Sequence, residues 1–240
     1  RRGIFLAPFD DASDPRLVAQ LAADAEAAGW DGFFVWDHVR YSTDRGEVSD
    51  PWIVLSAVAV ATERMRIGPL VTPLSRRRVH KLARETVTLD RLSGGRLTLG
   101  VGLGSDNHGE LQLPGEIEDA RERAKLLDAG LEQLAAYWDG EFVPPPVQQP
   151  RIPIWVAGRY PAKPPMRRAA RWDGFFPIEL PGPDALREIA AQLPPIDLIV
   201  EIEADEDITP WADAGATWVL RGFGKSPDLD EVRAAIAGGP

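Results

Sequence analysis

Short runs of apolar residues alternate with longer stretches of helical periodicity along the whole chain. Apolar runs without polar interruptions are typical of strands buried on both faces, as in a parallel sheet covered by helices. We therefore predict a regular alternation of strands and helices. The eight predicted strands are residues 3–7, 32–36, 65–72, 96–102, 152–157, 173–177, 197–202 and 217–220.

A stretch with helical periodicity follows each predicted strand. Asp14-Pro15 marks one helix start, since aspartate caps the first turn and proline suits it. The clearest amphipathic stretch places Leu127, Leu131 and Leu134 on one stripe. The predicted helices are residues 15–28, 51–62, 78–92, 121–138, 166–171, 183–192, 211–214 and 228–237.

Eight strand–helix units indicate a closed barrel. Division of the 240 residues among eight units gives about 30 residues per unit, the usual size of one βα unit. The alternative is a doubly wound open sheet, which usually has fewer strands and a glycine-rich first loop that residues 10–14 lack. We predict a single α/β domain over residues 1–240, a (β/α)8 TIM-type barrel whose active site lies on the loops after the strands.

Composition narrows the classes of function. The chain has 27 lysines and arginines against 37 acidic residues, a net charge of −10, which argues against nucleic-acid or anionic-membrane binding. The absence of cysteine excludes disulfides, thiolate metal sites and a cysteine nucleophile. No apolar run approaches the roughly 20 residues of a membrane span. The apolar start is too short for a signal peptide, so we expect a cytoplasmic protein.

The second predicted strand ends in Trp36-Asp37-His38. A histidine at the end of a barrel strand faces the active site and can transfer protons near neutral pH. The alternative is a structural hydrogen bond between Asp37 and His38 that shapes the loop. We favour a functional role for His38 and a structural role for Asp37.

Glycines and arginines follow the next predicted strands. After the third strand, Arg76-Arg77-Arg78 form a cationic cluster that can hold a phosphate or carboxylate, although each arginine alone is better explained by a solvated helix start. After the fourth, Gly102-Leu103-Gly104-Ser105 lets a flat ligand approach the backbone, although close packing of strand and loop explains the glycines equally well. Ser105 stands where the dinucleotide fingerprint needs a third glycine. After the fifth, Gly158-Arg159-Tyr160 precedes a helix and indicates an anion site.

Two other chemistries receive little support. The three histidines, His38, His80 and His108, lack the spacing of paired metal ligands on a helix or strand. Asp37, His38, His108 and Glu110 could still meet across two loops, so a metal-dependent barrel hydrolase remains an alternative. A serine triad is not predicted, because the chain has no Gly-x-Ser-x-Gly motif.

Several segments together resemble the bacterial luciferase-like monooxygenase family, the barrel oxidoreductases that depend on FMN or coenzyme F420. Each segment is a loose match alone, but their order along the chain is specific to this family. Beyond about residue 180 the similarity is architectural only. The matching segments are residues 27–38, 50–52, 61–68, 88–96, 100–102, 153–158 and 170–175.

The resemblance implies a TIM-like barrel that binds FMN or coenzyme F420 at the carboxyl ends of its strands, and a homodimer. It places His38 near the isoalloxazine ring as an active-site residue. It places a non-proline cis peptide beneath the ring at the end of the third strand. The implied cofactor-binding residues are Leu70, Val71 and Thr72 at that strand end, Gly102, Leu103, Gly104 and Ser105 along the cofactor, and Gly158, Arg159 and Tyr160 at its phosphate.

The chain also departs from the pattern of its relatives. Sugar-phosphate dehydrogenases of this family have the motif Gly-x-Gly-Glu after the fourth strand. In this chain, Ser105 occupies the position of that glutamate. Leu103 occupies a place where luciferase-like members often have an arginine.

We predict a flavin-type oxidoreductase or monooxygenase that acts on a small organic substrate. A non-catalytic flavin-binding barrel is a further alternative, since a fold does not fix a function.

Overall fold

Nine strand segments form one parallel sheet in the computed structural model, which describes residues 1–41, 46–106, 108–203 and 205–240. Their order around the sheet is β3-β2-β1-β9-β8-β7-β6-β5-β4. The segments are β1 (Arg2–Leu6), β2 (Gly32–Val35), β3 (Arg66–Pro69), β4 (Thr72–Pro73), β5 (Leu99–Gly102), β6 (Ile154–Arg159), β7 (Gly174–Ile178), β8 (Asp197–Ile202) and β9 (Trp218–Gly222).

The sheet closes at its third strand. β3 pairs with β2 and β4 pairs with β5, so the two halves of this strand lie at the two ends of the sheet order. The N–H of Thr98 donates to the carbonyl of Ile67 at 2.8 Å, which joins β3 to the residues before β5. The eightfold barrel is confirmed. The prediction of one unbroken strand over residues 65–72 is wrong, because the chain leaves the ladder at Leu70 and Val71, whose peptide bond is cis.

In the described residues, eight α-helices alternate with the strands, and aspartates begin several of them. The side chain of Asp50 accepts hydrogen bonds from the N–H groups of Trp52 and Ile53, as an N-terminal cap does. In the described part of the chain, no helix is long and apolar enough to cross a membrane. The helices are α1 (Pro15–Ala27), α2 (Pro51–Ala61), α3 (Val79–Leu92), α4 (Ala120–Ala136), α5 (Lys163–Ala169), α6 (Pro183–Ala190), α7 (Thr209–Asp213) and α8 (Leu229–Gly238).

Large side chains packed against glycines fill the barrel interior. A Cβ atom at Gly32 would lie 2.7 Å from the ring of Phe34 and 2.9 Å from that of Trp218, so only glycine leaves room for both rings. A separate and larger apolar cluster lies between the sheet and the helices. The interior cluster contains Phe5, Phe34, Leu70, Trp155, Ala157, Phe176, Ile199, Trp218 and Leu220.

Candidate active site at the barrel mouth

The loops after β2 and β5 meet through His38 and Glu110. The Nδ1 atom of His38 lies 2.9 Å from Oε2 of Glu110, and the N–H of Val39 donates to Oε1 of the same carboxylate at 2.6 Å. The Glu110 side chain is 3% exposed and that of His38 is 23% exposed. Glu110 therefore holds the loop after β2 in place. In the described structure Asp37 makes no hydrogen bond to His38, so that alternative is wrong.

Arg76 connects this pair to Asp37. Its guanidinium pairs with Glu110 on one side, and its Nη2 lies 3.1 Å from Oδ1 of Asp37 on the other. Nη2 of Arg77 approaches both oxygens of Asp37, at 2.8 and 2.9 Å, and the hydroxyl of Thr72 donates to Oδ2 at 2.7 Å. The carboxylate of Asp37 is fully buried, so it depends on these partners. A structural role for Asp37 stays a prediction, with Thr72, Arg76 and Arg77 rather than His38 as its partners.

Two arginines of the 76–78 cluster pair with carboxylates of the protein. Arg76 and Arg77 neutralise Asp37 and Glu110, so these two arginines are not free to hold a ligand anion as the sequence suggested. Arg78 is exposed and precedes α3. The buried carboxylates explain the cluster, since a buried charge is stable only when it is paired and hydrogen-bonded.

The environment keeps Glu110 ionised. Burial alone raises the pKa of its carboxyl, but the hydrogen bond and charge of His38, the charge of Arg76 and the N–H of Val39 outweigh burial and lower this pKa below its usual value. An ionised carboxylate only accepts hydrogen bonds, so the Nδ1 atom of His38 carries the proton. The Nε2 atom is then the position at which a neutral imidazole accepts a proton.

Aromatic rings enclose His38. The ring of Tyr41 lies 4.9 Å from that of His38 and 4.0 Å from that of His108, and Phe9 stacks on Tyr41 at 5.2 Å. Burial, with a smaller contribution from the charge of Glu110, raises the pKa of the Tyr41 phenol. Tyr41 is therefore a neutral hydroxyl beside the imidazole at physiological pH.

The carboxyl ends of the strands form an apolar floor beside this network. Trp36, Val71 and Ile178 are half-buried and pack on the interior cluster. A Cβ atom at Gly102 would lie 2.8 Å from Cγ2 of Val71, so glycine at this position allows β5 to approach the floor closely. Gly104 has a φ of +73°, a conformation that favours glycine. An open apolar floor beside glycine backbone fits a flat aromatic ligand.

The segment 158–160 lies at the same end of the barrel, at the end of β6. Gly158 faces α5, where a Cβ atom would lie 2.1 Å from Cβ of Pro165, so helix packing accounts for this glycine. Arg159 is exposed, and its Nε lies 3.4 Å from Oε1 of Glu179. The N–H of Tyr160 donates to the carbonyl of Ile178 at 2.9 Å. Within the described ranges, no hydrogen bond or ion pair joins this segment to His38 or Glu110.

The metal-hydrolase alternative lacks the ligands that it needs. The carboxylates of Asp37 and Glu110 are paired with arginines, and the ring of His108 packs on Tyr41. In the part of the chain that the structure describes, no three histidine or acidic side chains are grouped as metal ligands. Asp37, His38 and Glu110 do meet across the two loops, joined by Arg76 in an ion-pair network, whereas the ring of His108 contacts Tyr41.

The sequence analysis did not find the roles of two acidic residues at the barrel mouth. Glu110 was considered only as a metal ligand, and nothing in its loop marks it as the partner of a histidine 72 positions earlier. Glu201 left a clearer signal, because it is a carboxylate within the otherwise apolar run Leu198–Ile202. Charged residues in a buried strand usually have a functional or paired environment.

Comparison with known proteins gives a consistent family. A family model described as luciferase-like monooxygenase matches residues 3–193. An uncharacterised protein of Mycobacterium tuberculosis is 30% identical over 263 residues, and the match covers 92% of this chain and 91% of the relative. The relative supports the extent of the family match but carries no assigned activity.

Solved structures share the fold. An F420-dependent secondary alcohol dehydrogenase in complex with an F420–acetone adduct superposes with a TM-score of 0.82 at 16% identity, covering 100% of this chain and 98% of that one. The oxygenating constituent of 3,6-diketocamphane monooxygenase from Pseudomonas putida, in complex with FMN, superposes with a TM-score of 0.64 at 19% identity, covering 84% and 66%. Barrels of this fold thus include both F420 and FMN proteins.

Proposed function

The chain belongs to the luciferase-like monooxygenase family, and from this premise we propose that it is an oxidoreductase that uses FMN or coenzyme F420 on a small organic substrate. The observation that carries the proposal is the pairing of His38 with a buried, ionised Glu110 at the edge of an open apolar floor. An imidazole that can transfer a proton, next to apolar side chains that suit a flat ring, supports this proposal.

The residues at the mouth fit such a cofactor. Val71 is half-buried and apolar, and Gly102 and Gly104 add no side chain beside it. When bound, the cofactor supplies the hydride-transfer or oxygen-activation chemistry that amino-acid side chains lack. We assign the ring to Val71, Gly102, Leu103, Gly104 and Ser105, whereas Leu70 and Thr72 are buried within the protein. We assign the phosphate to Gly158, Arg159 and Tyr160.

His38 exchanges a proton with the bound cofactor through its Nε2 atom. Glu110 fixes the tautomer and the ring orientation at Nδ1, and it stabilises the imidazolium that forms when Nε2 takes a proton. Phe9 and Tyr41 exclude water from one side of the ring. Arg76 keeps Glu110 ionised, because protonation of that carboxylate would leave the guanidinium with only Asp37 as its anionic partner.

Turnover by the purified protein tests the proposal. The assay supplies reduced coenzyme F420, and separately reduced FMN, with a panel of carbonyl acceptors or with oxygen, and follows cofactor oxidation. We expect faster oxidation than in the protein-free control for one cofactor. A protein that binds a cofactor but accelerates no oxidation would support the non-catalytic barrel instead.

We also propose a homodimer. The proposed contact surface lies on α2, where Ile53 and Val60 are 64% and 74% exposed, whereas Trp52, Val54 and Val58 are buried within the protomer. A twofold contact between these faces is the commonest way to cover such residues. Light scattering should give about twice the chain mass of 26.3 kDa. A mass near 26.3 kDa at micromolar concentration would show a monomer.

A further inference from the structure

Glu201 lies on the inner face of the barrel at the carboxyl end of β8. Successive side chains of a strand point to opposite faces. In β8, Ile199 belongs to the interior cluster and Val200 to the cluster between sheet and helices, so Glu201 points inward like Ile199. Leu220, its partner across the β8–β9 ladder, also belongs to the interior cluster. Glu201 itself is exposed, so it opens into the mouth.

The neighbouring strand makes room for this carboxyl group. A Cβ atom at Gly222 of β9 would lie 2.3 Å from Oε1 of Glu201, so any other residue at position 222 would displace the carboxyl. No hydrogen bond or ion pair joins the Glu201 carboxyl to another residue in the described ranges. The carboxyl thus has a dedicated space and solvent access, and it has no hydrogen-bond or ion-pair partner among the described residues.

Glu201 faces the candidate cofactor floor from across the barrel. From the third strand, the order around the sheet passes β2, β1 and β9 before β8 in one direction, and β5, β6 and β7 in the other. β8 is therefore the strand directly opposite the third strand, which ends at Leu70–Thr72. A ligand seated on that strand end would have Glu201 on the far side of the mouth, where a substrate has space.

The surroundings of Glu201 favour a neutral carboxyl. The inner faces of the strands on either side carry no titratable group: Phe176 and Ile178 on β7, Leu220 and Gly222 on β9. Partial enclosure by the mouth, and secondarily the negative charge of Glu203, raise the pKa of Glu201 to about 7. Arg221 does not counter this effect, since its guanidinium donates to the carbonyls of Glu203 and Glu206.

We propose that Glu201 is a substrate-binding acid–base residue that interconverts a carbonyl and a hydroxyl group of a neutral organic substrate. This assignment rests on the proposed oxidoreductase function. The apolar walls favour an uncharged substrate, and a protonated carboxyl donates a hydrogen bond to a carbonyl oxygen as readily as a carboxylate accepts one from a hydroxyl.

The proton and electron balance is simple. In the reducing direction, the carbonyl carbon of the substrate would receive a hydride from a reduced flavin or deazaflavin, which would be oxidised, and Nε2 of His38 would take the proton that the cofactor loses with the hydride. The π-electron pair of the C=O bond moves to oxygen, and this oxygen takes the proton of Glu201. The product is an alcohol and Glu201 becomes a carboxylate. Solvent then reprotonates Glu201, because water reaches it through the mouth.

A titration without cofactor tests the carboxyl itself. The protein is labelled with ¹³C at the glutamate side-chain carboxyl, and Glu201→Gln identifies the resonance by its loss. We expect a midpoint at about pH 7. Glu203→Gln serves as the matched control and should lower this midpoint, since it removes a like charge. A midpoint near the ordinary 4.5 would overturn the proposal.

Turnover then tests the role. In the wild type with bound cofactor, carbonyl reduction should decline as pH rises above about 7, because the donor form disappears. Glu201→Gln should remove this decline and lower kcat/KM by roughly 10²–10⁴-fold with unchanged cofactor affinity, while Glu203→Gln remains active. Normal reduction by Glu201→Gln, or no reduction of any carbonyl compound by the cofactor-loaded wild type, contradicts this role alone. Failure of the wild type to bind either cofactor contradicts the proposed function first.

Discussion

The Nδ1 atom of His38 lies 2.9 Å from Oε2 of Glu110, although 72 positions separate the two residues. The contact joins the loop after β2 to the loop after β5, so it requires the closed barrel that brings both loops to one end. It also fixes the imidazole tautomer, since the ionised Glu110 only accepts hydrogen bonds. The chemistry that we propose for His38 follows from this contact.

Replacement of His38 by alanine should lower turnover by roughly 10²–10⁴-fold, the usual contribution of a proton-transfer residue. The fold should persist, because the His38 side chain is partly exposed and Asp37 keeps its arginines and Thr72. Cofactor oxidation and the thermal midpoint are measured on the same sample. His108→Ala is the control and should remain active. Near-normal turnover by His38→Ala would reject its catalytic role.

The stability supplied by Glu110 should depend on pH. Its pKa in the folded protein is lowered, so its contribution is complete above pH 4.5 and is lost as pH falls through the folded-state pKa. At pH 7, Glu110→Gln should lower the free energy of unfolding by about 1.5–3 kcal/mol. Urea unfolding at a series of pH values should show wild type and variant converging in acid. A difference that stays constant with pH would contradict the assignment.

Asp37 should be needed for folding rather than for chemistry. Asp37→Asn leaves Arg77 without its buried anionic partner, and removal of one member of a buried ion pair costs about 3–5 kcal/mol. Asp184→Asn is a matched control, because it breaks an exposed aspartate–arginine pair and should cost less than about 1 kcal/mol. Urea unfolding measures the free energy of unfolding of both variants. Equal effects of the two substitutions would show that burial of the Asp37 network contributes nothing.

Arg159 should contribute to cofactor affinity. A charge-assisted hydrogen bond to a phosphate is worth about 1.5–3 kcal/mol, so Arg159→Ala should weaken binding by roughly 10- to 100-fold. Fluorescence titration of the folded variant measures the change. Arg167→Ala removes the same charge from an exposed position on α5 and should leave affinity nearly unchanged. Unchanged affinity in Arg159→Ala would remove this residue from the site.

The barrel could be predicted from the sequence because its strands are apolar on both faces and recur with the spacing of a βα unit. The break at Leu70 and Val71 could not, since both residues continue an apolar run without a turn signal. His38 was found because a strand end determines its position. Glu110 was not found as its partner, because a loop without periodicity carries no information about contacts 72 residues away.

Titration of the ligand-free protein with coenzyme F420, and separately with FMN, tests the central claim most directly. Binding to the apolar floor at the barrel mouth changes the fluorescence of the ring, so the measurement requires no knowledge of the substrate. We expect one of the two cofactors to bind saturably, with one molecule per chain. Absence of saturable binding by either cofactor to the folded protein would contradict the account.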